Sequence, residues 1–194
     1  MFRKKLAYSF SCLMANLPKL LANKVKGYAA SIPDEFIYES NDGELGRERN
    51  PHITLKYGLH TTDLKDIMEV LDGQGPLRAR LGRVTSFWTE RSIVLKVSVQ
   101  SEDLVALNKK ICRELDYTDA YPEYRPHVTI AYLRKNDRSP YYFQDYFHDD
   151  LDGTEVVLDK LTFAVPGHKK YPIDLISMDS LADELMGIAS VLEK

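Results

Sequence analysis

Cysteine is scarce in this chain, with only Cys12 and Cys112 among 194 residues. They stand far apart and form no Cys-x-x-Cys pair, so neither a zinc knuckle nor a dithiol redox motif can be read. Both thiols are expected to be reduced and buried, as in a cytoplasmic protein. Long apolar runs are missing too. Arg3-Lys4-Lys5 followed by Leu6 to Ala15 faintly resembles a secretory leader. That run is broken by Tyr8, Ser9 and Ser11 and stopped by Pro18-Lys19, so it reads as the approach to a first β-strand. Nothing nears the roughly 18 apolar residues of a membrane-spanning helix, and no membrane association is expected. Positive charge is not in excess either: 26 Lys and Arg face 29 Asp and Glu, a formal net charge of −3. Proteins that track long nucleic acids by phosphate contacts are usually basic. A nucleotide ligand would therefore be small, or held locally. What remains is an ordinary globular composition, 44% hydrophobic and 28% charged, expected to form a single domain over residues 1–194.

Taken in order, Phe10 to Ala15 reads as a buried strand. Pro18 opens a helix with Leu20, Leu21, Val25 and Tyr28 on one stripe, ending before Pro33. Residues 40–46 form a loop. Thr61-Thr62-Asp63 offers an N-cap to a helix that turns Leu64, Ile67, Met68 and Leu71 inward. Leu77 to Trp88 and Ile93 to Val99 form a hairpin about Thr89-Glu90-Arg91-Ser92. Ser101 caps a helix carrying Leu104, Leu107, Ile111 and Leu115. The segment from Arg134 to Asp152 is polar and aromatic, a short helix or a flap. Val156 to Val165 and Ile173 to Ser177 read as a second hairpin, and a helix containing Leu181, Leu185, Ile188 and Leu192 closes the chain. Adjacent strands mixed with helices predict an α+β fold with antiparallel sheets and flanking helices.

One phrase is said twice. Glu48-Arg49-Asn50-Pro51-His52-Ile53-Thr54-Leu55-Lys56-Tyr57 is echoed 75 positions on by Glu123-Tyr124-Arg125-Pro126-His127-Val128-Thr129-Ile130-Ala131-Tyr132. Glu, Pro, His, Thr and Tyr are identical, and two aliphatic positions match in type. Side chains two apart on a strand share a face. His52 and Thr54 therefore point together, as do His127 and Thr129, while the aliphatic residues fix the register from the other face. If the repeat reflects a pseudo-two-fold pair of closely packed lobes, two imidazoles and two hydroxyls converge. Imidazole titrates near pH 6.5, so one ring can take a proton from an attacking hydroxyl while the other gives one to a leaving oxygen. The threonines can donate to the non-bridging oxygens of a phosphate. That set suits phosphodiester cleavage with neither metal nor other cofactor. A metal-binding use is disfavoured because no carboxylate stands at a tight ligand spacing from either histidine.

The paired motifs resemble the 2H phosphoesterase superfamily, which includes RNA 2′,3′-cyclic phosphodiesterases and 2′-5′ RNA ligases. That family has one His-x-[Thr/Ser] segment in each lobe of a pseudo-symmetric bilobal α+β fold, matched here by His52, Thr54, His127 and Thr129. Gly46-Arg47-Glu48 and the run Pro51 to His60, with Glu123 to Tyr132, look like the phage branch that contains anti-CBASS nucleases. Those enzymes degrade cyclic di- and trinucleotide messengers of bacterial antiviral signalling. The resemblance implies a cyclic oligonucleotide substrate, and a host-cell cytoplasmic location if the chain is of phage origin.

Such a substrate calls for base-stacking surfaces and local positive charge. Trp88, the one tryptophan, and Tyr8 are the candidate stacking residues. Lys56 has the parity of His52 and is expected to face the phosphate, whereas its counterpart Ala131 cannot. Tyr57 and Tyr132 have the opposite parity and are expected behind the site. His60 reads as a helix-entry residue and His168 as part of a solvated turn. His148 has no evident task, and Glu48 and Glu123 are candidates to orient the site or cap backbone donors. The alternatives are an RNA-end enzyme acting on 2′,3′-cyclic phosphate or 2′-5′ linkages, and a protein that sequesters cyclic nucleotides without cutting them.

Overall fold

A computed structural model describes residues 10–41, 43, 45–118, 123–135, 143, 147, 151–167 and 169–175. Eight strands form one sheet: β1 Ser11–Asn16, β2 His52–Leu59, β3 Leu77–Trp88, β4 Ile93–Gln100, β5 His127–Leu133, β6 Glu155–Leu158, β7 Lys160–Ala164 and β8 Lys170–Asp174. Their order is β6-β3-β4-β5-β2-β1-β7-β8, and every recorded pairing is antiparallel. The expected α+β fold with antiparallel pairing holds, and the two halves of the pseudo-symmetry share this one sheet. β2 and β5, which carry the repeated phrase, lie at its centre. Each is flanked outward by three strands: β1, β7 and β8 on one side, β4, β3 and β6 on the other.

The helices α1 Lys19–Ser31, α2 Leu64–Val70 and α3 Glu102–Glu114 are set by local signals. Asp63 accepts from the Lys65 amide at 2.9 Å, and Ser101 from the Leu104 amide at 3.0 Å, which satisfies donors that a helix start leaves open. Val25 and Ala29 of α1, Ile67 of α2, and Leu104, Leu107 and Ile111 of α3 enter the core. α3 packs against β2 and β3, and α1 against β5. Met68, expected inward, is exposed, because only Ile67 and Val70 of α2 reach the core.

β2 and β5 touch over a single recorded ladder pair, Ile53 with Val128, and then diverge. The segment before each His strand fills the gap on the other. Arg47 bridges Ala131 of β5, with the Tyr132 amide donating to the Gly46 carbonyl. Symmetrically, Tyr117 bridges Leu59 of β2, with the Thr118 amide donating to the Gly58 carbonyl. Gly58 is required there: its φ is +87°, and a Cβ would meet the Thr118 carbonyl oxygen at 1.9 Å.

Each central strand also carries a β-bulge at the same point of the repeat. Leu13 pairs with Lys56 but Met14 with Thr54, and Leu95 pairs with Ala131 but Lys96 with Thr129. Leu55 and Ile130 are thus the extra residues. Their carbonyls are not orphaned, since the buried Asn108 side chain donates to Leu55 at 2.7 Å and the Glu48 amide to Ile130 at 3.0 Å.

Beyond one-residue shifts at the ends of β1 and β4, two strand assignments differ from expectation. Val156 to Val165 is divided at Asp159: β6 pairs with β3, whereas β7 pairs with β1 and β8. Strands on opposite flanks of the sheet are joined through one residue, which requires the sheet to curl strongly. The last strand is Lys170–Asp174, earlier than Ile173 to Ser177, and Pro172 is accommodated because β8 is an edge strand. The expected C-terminal helix lies outside the described residues, as does most of Arg134 to Asp152. Among the described residues no helix is long and apolar enough to cross a membrane.

Candidate active site

Extending the Ile53–Val128 register by one residue each way sets His52 opposite Thr129 and Thr54 opposite His127. Ile53 and Val128 are fully buried, and the four polar side chains alternate away from them. Both histidines and both threonines therefore share one sheet face around one point.

The two rings are held alike. His52 Nδ1 lies 2.7 Å from the Asn50 carbonyl oxygen, and His127 Nδ1 lies 2.9 Å from that of Arg125. A carbonyl can only accept, so each Nδ1 carries a hydrogen and donates it, which leaves Nε2 of each ring to work on a substrate. The matched glutamates stand one step behind. Glu48 accepts from the Asn50 amide at 2.7 Å, and Glu123 pairs with the Arg125 guanidinium at 2.6 Å. Each thus steadies the residue whose carbonyl orients a histidine. Tyr124 ties the halves together by donating to the Thr54 carbonyl at 3.1 Å, and burial pushes its hydroxyl's pKa upward.

Neighbouring strands extend the face in matched positions. Asn16 lies opposite His52 and Ser98 opposite His127. Beyond the threonines the halves part: Met14 lies opposite Thr54, but Lys96 lies opposite Thr129. Outside these come Thr162, paired with Met14, and Thr85, paired with Lys96. Phe87 meets the His127 ring edge-on, with centroids 5.7 Å apart, and the Lys96 ammonium lies 5.9 Å from the Phe87 centroid. His127 is held below the usual histidine range, first by burial and then by the positive Lys96 and by His52; its bond to the Arg125 carbonyl opposes this. Lys96 is itself lowered by burial and by Arg125.

The expected substrate contacts fare differently from the His/Thr set. Lys56 does not share the face of His52. The bulge at Leu55 turns it onto the side of Leu13, where it is 5% exposed with its ammonium 3.7 Å from the Tyr117 ring centroid. The same bulge brings Tyr57 round to the face of Cys12 and Met14, where it is exposed rather than behind the site. Trp88 pairs with the buried Ile93 and alternates away from Phe87, so it is not brought to the histidines. Tyr8, His148 and His168 lie outside the described residues. His60 is a structural residue: Nε2 lies 2.9 Å from the Thr118 hydroxyl, and the ring stacks on Phe10. Lys96, Phe87 and Thr85 escaped the sequence reading. The available signal was a lysine within the otherwise apolar run Ile93 to Val97, on the parity of Ser98. Among the described residues no group of three His, Cys, Asp or Glu side chains is placed to hold a metal ion.

Comparison with known proteins bears on the family and the fold. A Bacillus pumilus protein whose name calls it a phosphoesterase is 27% identical over 112 residues, covering 54% of this chain and 59% of that relative. The match thus spans a little over half of the relative's length. Among solved structures, E. coli LigT complexed with 3′-AMP superposes with a TM-score of 0.52 at 15% identity, over 86% of this chain and 95% of that one. LigT complexed with ATP gives 0.52 at 14% identity, over 88% and 99%. At those identities the likeness establishes the curled antiparallel fold. The model of the 2′-5′ RNA ligase superfamily matches residues 21–169, a span holding both His-x-Thr strands and the Ile53–Val128 pair that joins them, and the chain belongs to that family.

Proposed function

We propose that the protein is a metal-independent phosphodiesterase that cleaves 3′-5′ linkages of cyclic di- or trinucleotide signals, as an anti-CBASS nuclease of phage counter-defence does. The observation that carries the chemistry is the matched pair of histidines, each with Nδ1 committed to a backbone carbonyl and Nε2 left to work beside a threonine. A ribose 2′-hydroxyl attacks the adjacent phosphorus. One imidazole takes its proton as the other protonates the departing oxygen, and Thr54 and Thr129 hold non-bridging oxygens. Each imidazole supplies on the order of 10²- to 10⁴-fold in rate. The cyclic substrate rests on the likeness of the repeated phrases to the phage branch, and the local rather than general positive charge of the chain agrees with a small ligand.

The family model favours a second reading, an enzyme of RNA 2′,3′-cyclic phosphate ends or 2′-5′ linkages. Mass spectrometry of products from cyclic di- and trinucleotides, cyclic-phosphate-ended RNA and 2′-5′-linked oligonucleotides separates the two. Turnover confined to the RNA substrates overturns the cyclic-nucleotide reading. Recovery of every cyclic nucleotide intact from a tight complex identifies a sequestering protein instead.

A further inference from the structure

The site is symmetric in its histidines and threonines but not in its charge. Lys96 stands opposite Thr129, where the other half has Met14. It is half-buried on β4, the strand beside β5, and among the described residues it has no hydrogen bond or ion pair. Its charged neighbour is the guanidinium of Arg125, which repels it, while Glu123 is engaged by that guanidinium. Beside it, the Thr85 hydroxyl is buried without a partner. A desolvated ammonium next to a like charge and an unmatched hydroxyl are each costly on their own. An anion seated between them would satisfy both.

We propose that Lys96 and Thr85 complete a one-sided anion site for the phosphate under attack, and that this one-sidedness fixes the direction of cleavage, with His127 as proton acceptor and His52 as proton donor. The inference rests on the phosphodiesterase reading. The groups bearing on the His127 ring are Lys96 from β4, Arg125 from the preceding segment, His52 from β2 and the uncharged Phe87 from β3. The nearby ammonium disfavours an imidazolium at His127, so that ring meets the substrate neutral. The new bond joins the 2′-oxygen to phosphorus and its proton passes to His127 Nε2. The bond from phosphorus to the leaving oxygen breaks, and that oxygen receives the proton of His52. Lys96 neutralises charge gathering on the non-bridging oxygens.

Two measurements test this. Histidine ring signals of the full chain are followed by NMR against pH with and without inorganic phosphate, for wild type and Lys96→Met. This reports on the anion site even if no phosphodiester is turned over. The expected result is phosphate binding that weakens at least about tenfold in Lys96→Met, the scale of a lost charged hydrogen bond, with His127 titrating at higher pH in that variant. Unchanged phosphate affinity overturns the anion site. Second, a substrate with sulfur at the bridging 5′ position needs no proton on its leaving group. It is expected to restore cleavage by His52→Ala and not by His127→Ala. Rescue of His127→Ala alone reverses the assignment and overturns the direction of cleavage.

Discussion

Ile53 lies opposite Val128, and through this pair β2 and β5 join the two halves of the sheet. Both side chains are fully buried, and each stands between the His and Thr of its own strand. Ile53→Ala is expected to cost about 2–5 kcal/mol, as for other large-to-small core changes. Because the pair also sets the spacing of the imidazoles, turnover should fall further than the loss of folded protein explains. Kinetics at a temperature where circular dichroism shows the variant fully folded checks this. Activity that tracks the folded fraction alone would mean that the register does not depend on this contact.

His52→Ala and His127→Ala should each lower kcat by about 10²- to 10⁴-fold, with the melting transition still cooperative. The loss should not be additive, because base and acid act in one step. Wild-type activity should survive EDTA, since the proposed proton transfers need no Lewis acid. Loss in chelator that zinc restores would require a metal role.

Burial and the positive Lys96 lower the folded pKa of His127. Between the ordinary histidine value of about 6.5 and that lower value, the unfolded chain therefore binds more protons than the folded one. The His127 contribution to stability is fully present above about pH 6.5 and fades as pH falls through this window. Urea unfolding from pH 8 to pH 5 should show this decline, and His127→Gln should flatten it. An equal decline in the variant would assign the effect to other groups.

Much of this was legible beforehand because it is local. Asp63 and Ser101 announce their helices, Trp88 and Ile93 bound the hairpin where the apolar alternation breaks, and the His-x-Thr phrases mark the central strands. What sequence could not show was decided by distant partners. Val156 to Val165 is one apolar-rich run in which the buried parity shifts at Asp159, from Val156 and Leu158 to Leu161 and Phe163, and its two parts pair with different strands. Leu55-Lys56 and Ile130-Ala131 look like plain alternation, and only the ladders to β1 and β4 reveal the bulges. Those bulges take Lys56 away from the histidines, and the β4–β5 register brings Lys96 to them.

The bulge at Leu55 is held by a side chain from α3. Asn108, only 7% exposed, donates to the Leu55 carbonyl at 2.7 Å. Asn108→Ala would leave that carbonyl unmatched and should cost about 1–3 kcal/mol. If relaxing the bulge also shifts the strand between Thr54 and Lys56, KM should rise with the stability loss. A variant as stable as wild type would show that the bulge is set by the strands alone.

Two lysines give the sharpest contrast between parity and register. Lys56 is turned from the histidine face and packs its ammonium against the Tyr117 ring, whereas Lys96 faces Thr129. Lys56→Met is expected to lower stability by about 0.5–2 kcal/mol, the range of a cation–π contact at a partly desolvated site, and to leave kcat/KM close to wild type. Lys96→Met removes a half-buried, repelled charge, so its stability should hold or rise while kcat/KM falls by at least about tenfold, the scale of a charged hydrogen bond to phosphate. Thermal melts and initial rates on the same two preparations read both quantities. Were Lys56→Met the variant that loses turnover and Lys96→Met the one that melts early, the register across the Leu55 and Ile130 bulges would be wrong, since a one-residue slip exchanges the faces of every side chain beyond it.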